Sequence, residues 1–389
     1  MTLPATNWNF PTTIRFGAGR IAELADACRS LGISRPLLVT DPALAKIPFI
    51  RAAVAANTQS DIPTKVFSDI EPNPVGSNID AGVAAYASGS HDGVIAFGGG
   101  SALDVGKVIA FMSGQSRPLW DFEDREDWWS RADPDGIAPI IAVPTTAGTG
   151  SEVGRAGVIL DEAEQLKKII FHPRMMPAIV ILDPELTIGL PAHVTAATGM
   201  DALAHCLEAY CSPRFHPIAD GIAVEGVKLV HDWLAKAVLD GSDLDARGGM
   251  LIAASMGATA FQKGLGGMHA LSHPIGALYK THHGLTNAVL MPYVLAYNRS
   301  AIDERLARLA GFAGLPHASF DALFQWVLQL REELSIPHTL RELGVTDDQL
   351  DRLAQMAEAD PSAGGNPLPF DADAAGQVLA WAMAGKLPA

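Results

Sequence analysis

In the segment TGMDALAHCLEAY, Asp201 and His205 stand four residues apart. On a helix that spacing projects both side chains from one face, within reach of a single ion. Downstream, GGMHALSHPIGALYKTHHGLTNA supplies His269, His273, His282 and His283. An Asp and a His at this spacing make, by themselves, an ordinary hydrogen bond on a helix surface. Here five of the chain's twelve histidines fall in two nearly uncharged, Gly- and Ala-rich segments, where a buried carboxylate without a cation is costly. A metal answers that need. One carboxylate with imidazoles suits a borderline divalent ion, zinc or iron, and leaves a coordination position for a substrate oxygen. Spacing does not choose among the four downstream histidines.

A second kind of chemistry is written in two glycine-rich turns. VIAFGGGSALDVGK sets Gly98, Gly99 and Gly100 after an apolar run and before a helical stretch whose start holds Ser101 and Asp104. Bare amides at a helix N-terminus attract anions, and glycine lets a pyrophosphate come close. The segment is not a P-loop, which would need glycine at Ser101 and a hydroxyl at Val108, nor a GxGxxG, which would need glycine at Leu103. The second turn, VPTTAGTGSEVG, offers Thr145, Thr146, Thr149 and Ser151 as hydroxyl donors. Two such turns at one sheet edge are what a dinucleotide crevice requires. Asp41 closes the run LLVTD, where a carboxylate can bind an adenosine ribose and repel a 2′-phosphate. The same aspartate would also serve as a helix cap ahead of Pro42.

These groups need two different scaffolds. Up to about Pro184, apolar runs (PLLVTD, TKVFSD, DGVIAFGGG, APIIAVPTTAG, KKIIFHP, PAIVILDP) alternate with Ala- and Leu-rich helical stretches. That predicts an α/β domain with a largely parallel sheet, because strands covered on both faces read as continuous apolar runs. Beyond DPELTIGLP the pattern is helical throughout. We place the boundary near Leu190, giving an α/β dinucleotide-binding domain over 1–190 and an all-α metal-binding domain over 191–389. The loop DFEDREDWWSRADPDG reads as a solvated surface loop anchored by two rings.

Composition narrows the partners. With 43 acidic and 28 basic residues among 389 the net charge is −15, which disfavours nucleic acid and anionic membranes. No uncharged apolar run approaches the roughly 20 residues that span a bilayer, and the N-terminal residues lack the pattern of a secretory signal. Cys28, Cys206 and Cys211 form no CxxC pair and are odd in number, which suits a reducing compartment and predicts small buried thiols in a cytoplasmic protein.

Taken in order, EPNP at Glu71–Pro74, GGGSALDVGK, PTTAGTGSEV, KKIIFHPRMMPAIVILDPELT, GMDALAHCLEAY and HALSHPIGALYKTHHG resemble the iron-containing, or group III, alcohol dehydrogenases from end to end. The resemblance implies a dehydroquinate-synthase-like fold, a nicotinamide domain followed by a helical metal domain, and an active site in the cleft between them. It implies Asp201, His205, His269 and His283 as ligands of a divalent metal, iron foremost, with zinc, manganese and nickel as alternatives. His273 then takes the place of a second-sphere histidine near the nicotinamide and is the candidate proton relay. For NAD the implied contacts are Asp41, Asn73, Gly99, Gly100, Ser101, Asp104, Thr145, Thr146, Thr149, Val158 and Lys167, the last beside Lys168. The implied reaction is hydride transfer between a small primary alcohol, diol or ω-hydroxy acid and NAD, in at least a homodimer. A glycerol-dehydrogenase-like zinc enzyme and a dehydroquinate-synthase-like lyase are the competing readings. Three positions depart from the family pattern. Ala156 replaces a polar amide of some diol-oxidising relatives, and Leu368 replaces a frequent arginine. Lys263 stands where asparagine is common, in a shortened loop six residues before His269, and this loop position makes it a candidate reader of an acidic substituent on the substrate.

Overall fold

The computed structural model describes residues 12–164 and 166–388. The first eleven residues of the expected 1–190 domain, Gln165 and Ala389 lie outside the described residues. Contacts divide the chain into two compact units, one reaching to Thr146 and resuming over Gly150–Gly189, the other containing Ala147–Thr149 and the chain from Leu190 onward.

The first unit contains, in chain order, β1 (Thr13–Phe16), α1 (Leu24–Ser30), β2 (Pro36–Val39), α2 (Pro48–Gln59), β3 (Lys65–Phe67), α3 (Gly76–Ser88), β4 (Gly93–Gly98), α4 (Gly100–Met112), β5 (Ile140–Pro144), β6 (Ala156–Asp161), β7 (Leu166–Phe171) and β8 (Ile179–Leu182). Six strands form one parallel sheet in the order β1-β8-β5-β4-β2-β3. PLLV, GVIAFG, IIAVP and IVIL are buried along their whole length, as strands covered on both faces must be. One face of the sheet packs Leu38, Ile95, Phe97, Ile141, Val143 and Ile181 into a common core with α1 and α2.

One expected strand sits elsewhere. KKIIF does not join the parallel sheet; as β7 it forms an antiparallel hairpin with β6, in the register Val158↔Ile169 and Leu160↔Lys167. Buried residues alternate with more accessible ones along both strands. Such alternation needs one side near solvent, which a sheet covered on both faces does not offer. The acidic loop ahead of β5 is anchored by rings: Arg131 lies 4.0 Å over Trp128, and Trp129 meets the edges of Phe171 and His172.

The second unit is helical: α5 (Ala192–Cys211), α6 (Pro217–Leu239), α7 (Leu244–Ala260), α8 (Gly267–Tyr279), α9 (His283–Ala313), α10 (Phe320–Glu333), α11 (Leu350–Ala359) and α12 (Ala372–Ala384). Every residue of α5 from Thr195 onward is buried, the mark of a central helix covered on all sides, with Asp201, His205 and Glu208 among the charged or ionisable groups it carries inside. Gly199 admits Leu234 and Met250, while Cys206 sits between Gly226 and Gly257, so α6 and α7 close tightly on α5. The three cysteines are free and buried, and burial pushes each thiol up to about 12, leaving them as small hydrophobes. Among the described residues no helix is long and apolar enough to cross a membrane.

Candidate metal centre and nucleotide-binding turns

Three helices bring the metal-type donors together. Asp201 and His205 occupy successive turns of α5, His269 is the third residue of α8, and His283 is the first residue of α9. One ligand atom from each of these four residues lies within 4.8 Å of the others. From Asp201 Oδ1 the Nε2 atoms of His283, His269 and His205 are 3.7, 3.9 and 4.0 Å away. These separations are too long for hydrogen bonds. They approach the about 3.4 Å that separates two donors each about 2.1 Å from a shared tetrahedral ion. The donor set therefore fits a divalent cation.

Electrostatics point the same way. Burial alone would raise the Asp201 carboxyl, but His205, His283, His269 and the Asn287 amide hold it well below the usual carboxylate range. Burial pushes His205 down to about 4, the direction that favours a ring with a lone pair for a metal, whereas Glu208 and Asp201 raise His269 against its burial. His282, the neighbour that spacing could not exclude, is spent otherwise: it is the N-cap of α9, with Nδ1 accepting from the Leu285 amide at 3.4 Å. His273 lies one turn beyond His269, its ring stacked on His283 with centroids 5.4 Å apart, and its Nδ1 is 2.8 Å from Asp360 Oδ2.

Three partners at this centre escape the sequence reading. Glu208 bonds His269 Nδ1 at 2.6 Å, and it continues the α5 face of Asp201 and His205 at the next helical turn, a spacing that could have flagged it. Asn287, four residues after His283, donates to Asp201 Oδ1 at 2.8 Å and lies 3.2 and 3.3 Å from the Nε2 atoms of His269 and His283. Asp360 gives no local signal, since its partner is 87 residues away.

In the first unit the two glycine turns adjoin at the carboxyl ends of β4 and β5, where Thr145 N donates to Gly98 O at 3.0 Å. Gly98 has φ +152° and abuts Ala102, so a side chain would be both strained and crowded there. Gly99 caps α4, and Thr146 packs where a Cβ on Gly99 would point, leaving the first amides of α4 facing this edge. Ser101 Oγ donates to Pro72 O at 2.6 Å, which ties Asn73 and the EPNP segment to the same turn. Asp104 accepts from Val158 N at 3.0 Å and from Ser151 Oγ, while the buried Lys107 donates to the carbonyls of Ser151 and Ala156. Asp104 thus fastens α4 to the second turn and to β6. Asp41 follows β2, and its Oδ1 accepts from the amides of Ala43 and Leu44 at 2.9 Å each, a local cap. Lys167 lies on β7 opposite Leu160, whereas Lys168 is buried against Asp161 at 2.7 Å and Glu164 at 3.0 Å. Thr149 groups with the helical unit, in the stretch Ala147–Thr149.

Residues 11–184 match the family model of the iron-containing alcohol dehydrogenases, and residues 195–383 match the C-terminal model of the same family. The chain belongs to the iron-containing alcohol dehydrogenase family. It is similar to 4-hydroxybutyrate dehydrogenase of Cupriavidus necator, at 41% identity over 92% of this chain and 94% of that protein. Among solved structures it is similar to a 1,3-propanediol oxidoreductase (TM-score 0.93, 34% identity, 98% and 100% of the two chains). It is also similar to sulfoacetaldehyde reductase from Bifidobacterium kashiwanohense in complex with NAD+ (TM-score 0.88, 29% identity, 97% and 99%). The protein is an NAD-dependent alcohol dehydrogenase that interconverts alcohols and aldehydes, and its family works with NAD and a divalent metal.

Lys263 lies outside the four donors of the candidate metal centre. Its ammonium is fully buried, bonded to Asp220 and to Tyr210 O at 3.1 Å, with Arg305 3.5 Å from the same Asp220 oxygen. The counter-charge expected from a substrate is supplied by the protein. Lys263→Met is expected to lower the unfolding free energy by about 2 kcal/mol, below the about 3–5 kcal/mol of a fully buried pair because Asp220 keeps Arg305 and some solvent. Denaturant unfolding measures that loss. The KM for an ω-hydroxy acid should move no more than that for a neutral alcohol of equal length, and a selective rise at unchanged stability would return Lys263 to substrate recognition.

Proposed function

We propose that the enzyme holds a divalent ion, iron foremost, on Asp201, His205, His269 and His283, and oxidises small primary alcohols, short diols and ω-hydroxy acids included. The observation that carries this is the convergence of one carboxylate oxygen and three imidazole nitrogens within 4.8 Å. The 41% identity to a 4-hydroxybutyrate dehydrogenase supports the ω-hydroxy acid arm. In this reading the unit from Leu190 onward is the metal domain and the unit of the parallel sheet is the NAD domain. The free, buried cysteines suit a cytoplasmic enzyme, and the family supports a homo-oligomer, at least a dimer.

A divalent ion held there would supply Lewis acidity toward an alcohol or aldehyde oxygen, and NAD would supply the hydride acceptor. The chain's own residues do the rest. Asp201 supplies the negative charge that a neutral three-imidazole set would lack, and Glu208 and Asn287 orient the donors. Asp360 accepts from His273 Nδ1, which leaves Nε2 of that ring to take the alcohol proton and pass it to solvent. For the nucleotide, the first amides of α4 and the hydroxyls of Thr145 and Thr146 would hold the pyrophosphate, with Asn73, Gly99, Gly100, Ser101, Thr149, Val158 and Lys167 as further contacts. Asp41 meets the ribose.

That last assignment makes a prediction. A 2′-phosphate beside Asp41 meets a second negative charge, so NAD is preferred over NADP, and Asp41→Gly should improve kcat/KM for NADP relative to NAD by at least about tenfold. The lost cap costs only a few tenths of a kcal/mol, since glycine tolerates this position. Equal efficiency with both cofactors in the unmutated enzyme contradicts the role. The proposed function is tested by NAD reduction with straight-chain alcohols, diols and ω-hydroxy acids on protein loaded separately with iron, zinc, manganese and nickel. Turnover of 1,3-propanediol or 4-hydroxybutyrate is expected; failure of every small primary alcohol with every metal overturns it.

A further inference from the structure

Glu208 is a buried carboxylate that the reaction does not use directly, yet both its oxygens are committed. Oε2 accepts from His269 Nδ1 and Oε1 accepts from the Met268 amide, each at 2.6 Å. The residue is 6% exposed. Met268 is the second residue of α8, and its N–H is one of the first-turn amides that have no acceptor within their own helix. One carboxylate on α5 therefore caps the start of α8 and pins the ring one residue further along.

We propose that Glu208 is a positioning residue that fixes the tautomer of His269, keeping the proton on Nδ1 so that Nε2 presents a lone pair to the metal. The proposal rests on the metal-centre reading and deepens it. An ionised carboxylate only accepts, so the ring must donate from Nδ1. In the neutral ring Nε2 is then the nitrogen without a proton, and it faces Asp201 Oδ1 at 3.9 Å, among the donors of α5 and α9. Glutamine has the same shape but only one acceptor. If its oxygen serves Met268, which can only donate, its amide N–H groups face His269 Nδ1 and drive the ring proton to Nε2, where it blocks a metal. If its oxygen serves His269, two donors face each other at Met268 and a buried amide is left unmatched.

The test is Glu208→Gln, with Zn2+ affinity read by competition with a chromophoric chelator. The dissociation constant should rise about 10–100-fold, the usual effect of removing a metal ligand's hydrogen-bond partner. Histidine-selective 15N spectra of the metal-free protein should show His269 shifted from the Nδ1–H toward the Nε2–H form. In a His269→Ala background the same substitution should change Zn2+ affinity little, because Glu208 acts through that ring. Circular dichroism and thermal unfolding of metal-free Glu208→Gln establish that it folds, and should it not, Glu208→Asp, a shorter carboxylate with two acceptors, carries the measurement, with the Nδ1–H form retained. Zn2+ affinity within twofold of the parent, an unchanged tautomer, or an equal loss in the His269→Ala background overturns the proposal. If His269→Ala itself keeps full Zn2+ affinity, the metal-centre reading fails instead.

Discussion

His283→Ala is expected to lose the metal and to lower kcat/KM by at least about a thousandfold, the scale of several kcal/mol of Lewis-acid stabilisation at a decade per 1.4 kcal/mol. His282→Ala should keep both. The two histidines are adjacent in sequence, but α9 begins between them: His282 is the cap, with its ring on the Leu285 amide, and His283 is the first helical residue, with Nε2 3.7 Å from Asp201 Oδ1. Losing the cap costs about 1 kcal/mol of stability and no donor. Metal content by elemental analysis and steady-state NADH formation separate the variants. Retention of metal by His283→Ala together with its loss from His282→Ala reverses the assignment.

The second large effect is expected one residue on. A Cβ at Gly284 would run into the carbonyl oxygen of Ala197 and lie 2.9 Å from Asp201 Cβ, and the backbone of α5 cannot move aside as a flexible side chain could. Gly284→Ala must push the start of α9 off α5, carrying His283 away from Asp201. We expect a stability loss of about 1–3 kcal/mol, the range for overpacking, together with metal binding weaker by at least about tenfold. Gly221 is the control: it lies inside α6 with nothing within 4 Å of a new Cβ, so Gly221→Ala should be neutral or slightly stabilising and leave metal affinity unchanged. Thermal unfolding of the metal-free proteins and Zn2+ titration measure the two effects separately. Parent-like stability and affinity in Gly284→Ala contradict the packing argument.

What could be read from sequence followed the range of each signal. The buried runs GVIAFG and IIAVP announced parallel strands because continuous apolarity is a local property, and DALAH announced a shared helical face because four residues make one turn. KKIIF misled because two lysines followed by apolar residues hide the alternation that the hairpin with β6 reveals. Glu208 was one helical turn from a visible motif, but its role depends on α8, 61 residues away. Lys263 reads as a candidate substrate contact from its loop position because its partner Asp220, 43 residues upstream, does not neighbour it in sequence. Asp41 had two readings, and the cap that the structure shows uses only Oδ1, which leaves the proposal for the other oxygen to the cofactor experiment.

Dependence of NAD-linked alcohol oxidation on a divalent ion held by Asp201, His205, His269 and His283 is measured by removing metal stepwise with a chelator and following the remaining metal per chain and the rate of NADH formation on the same samples. The rate should be proportional to occupancy up to one ion per chain, abolished in the metal-free protein and restored by adding the ion back. Undiminished alcohol oxidation by protein stripped of metal would contradict that dependence.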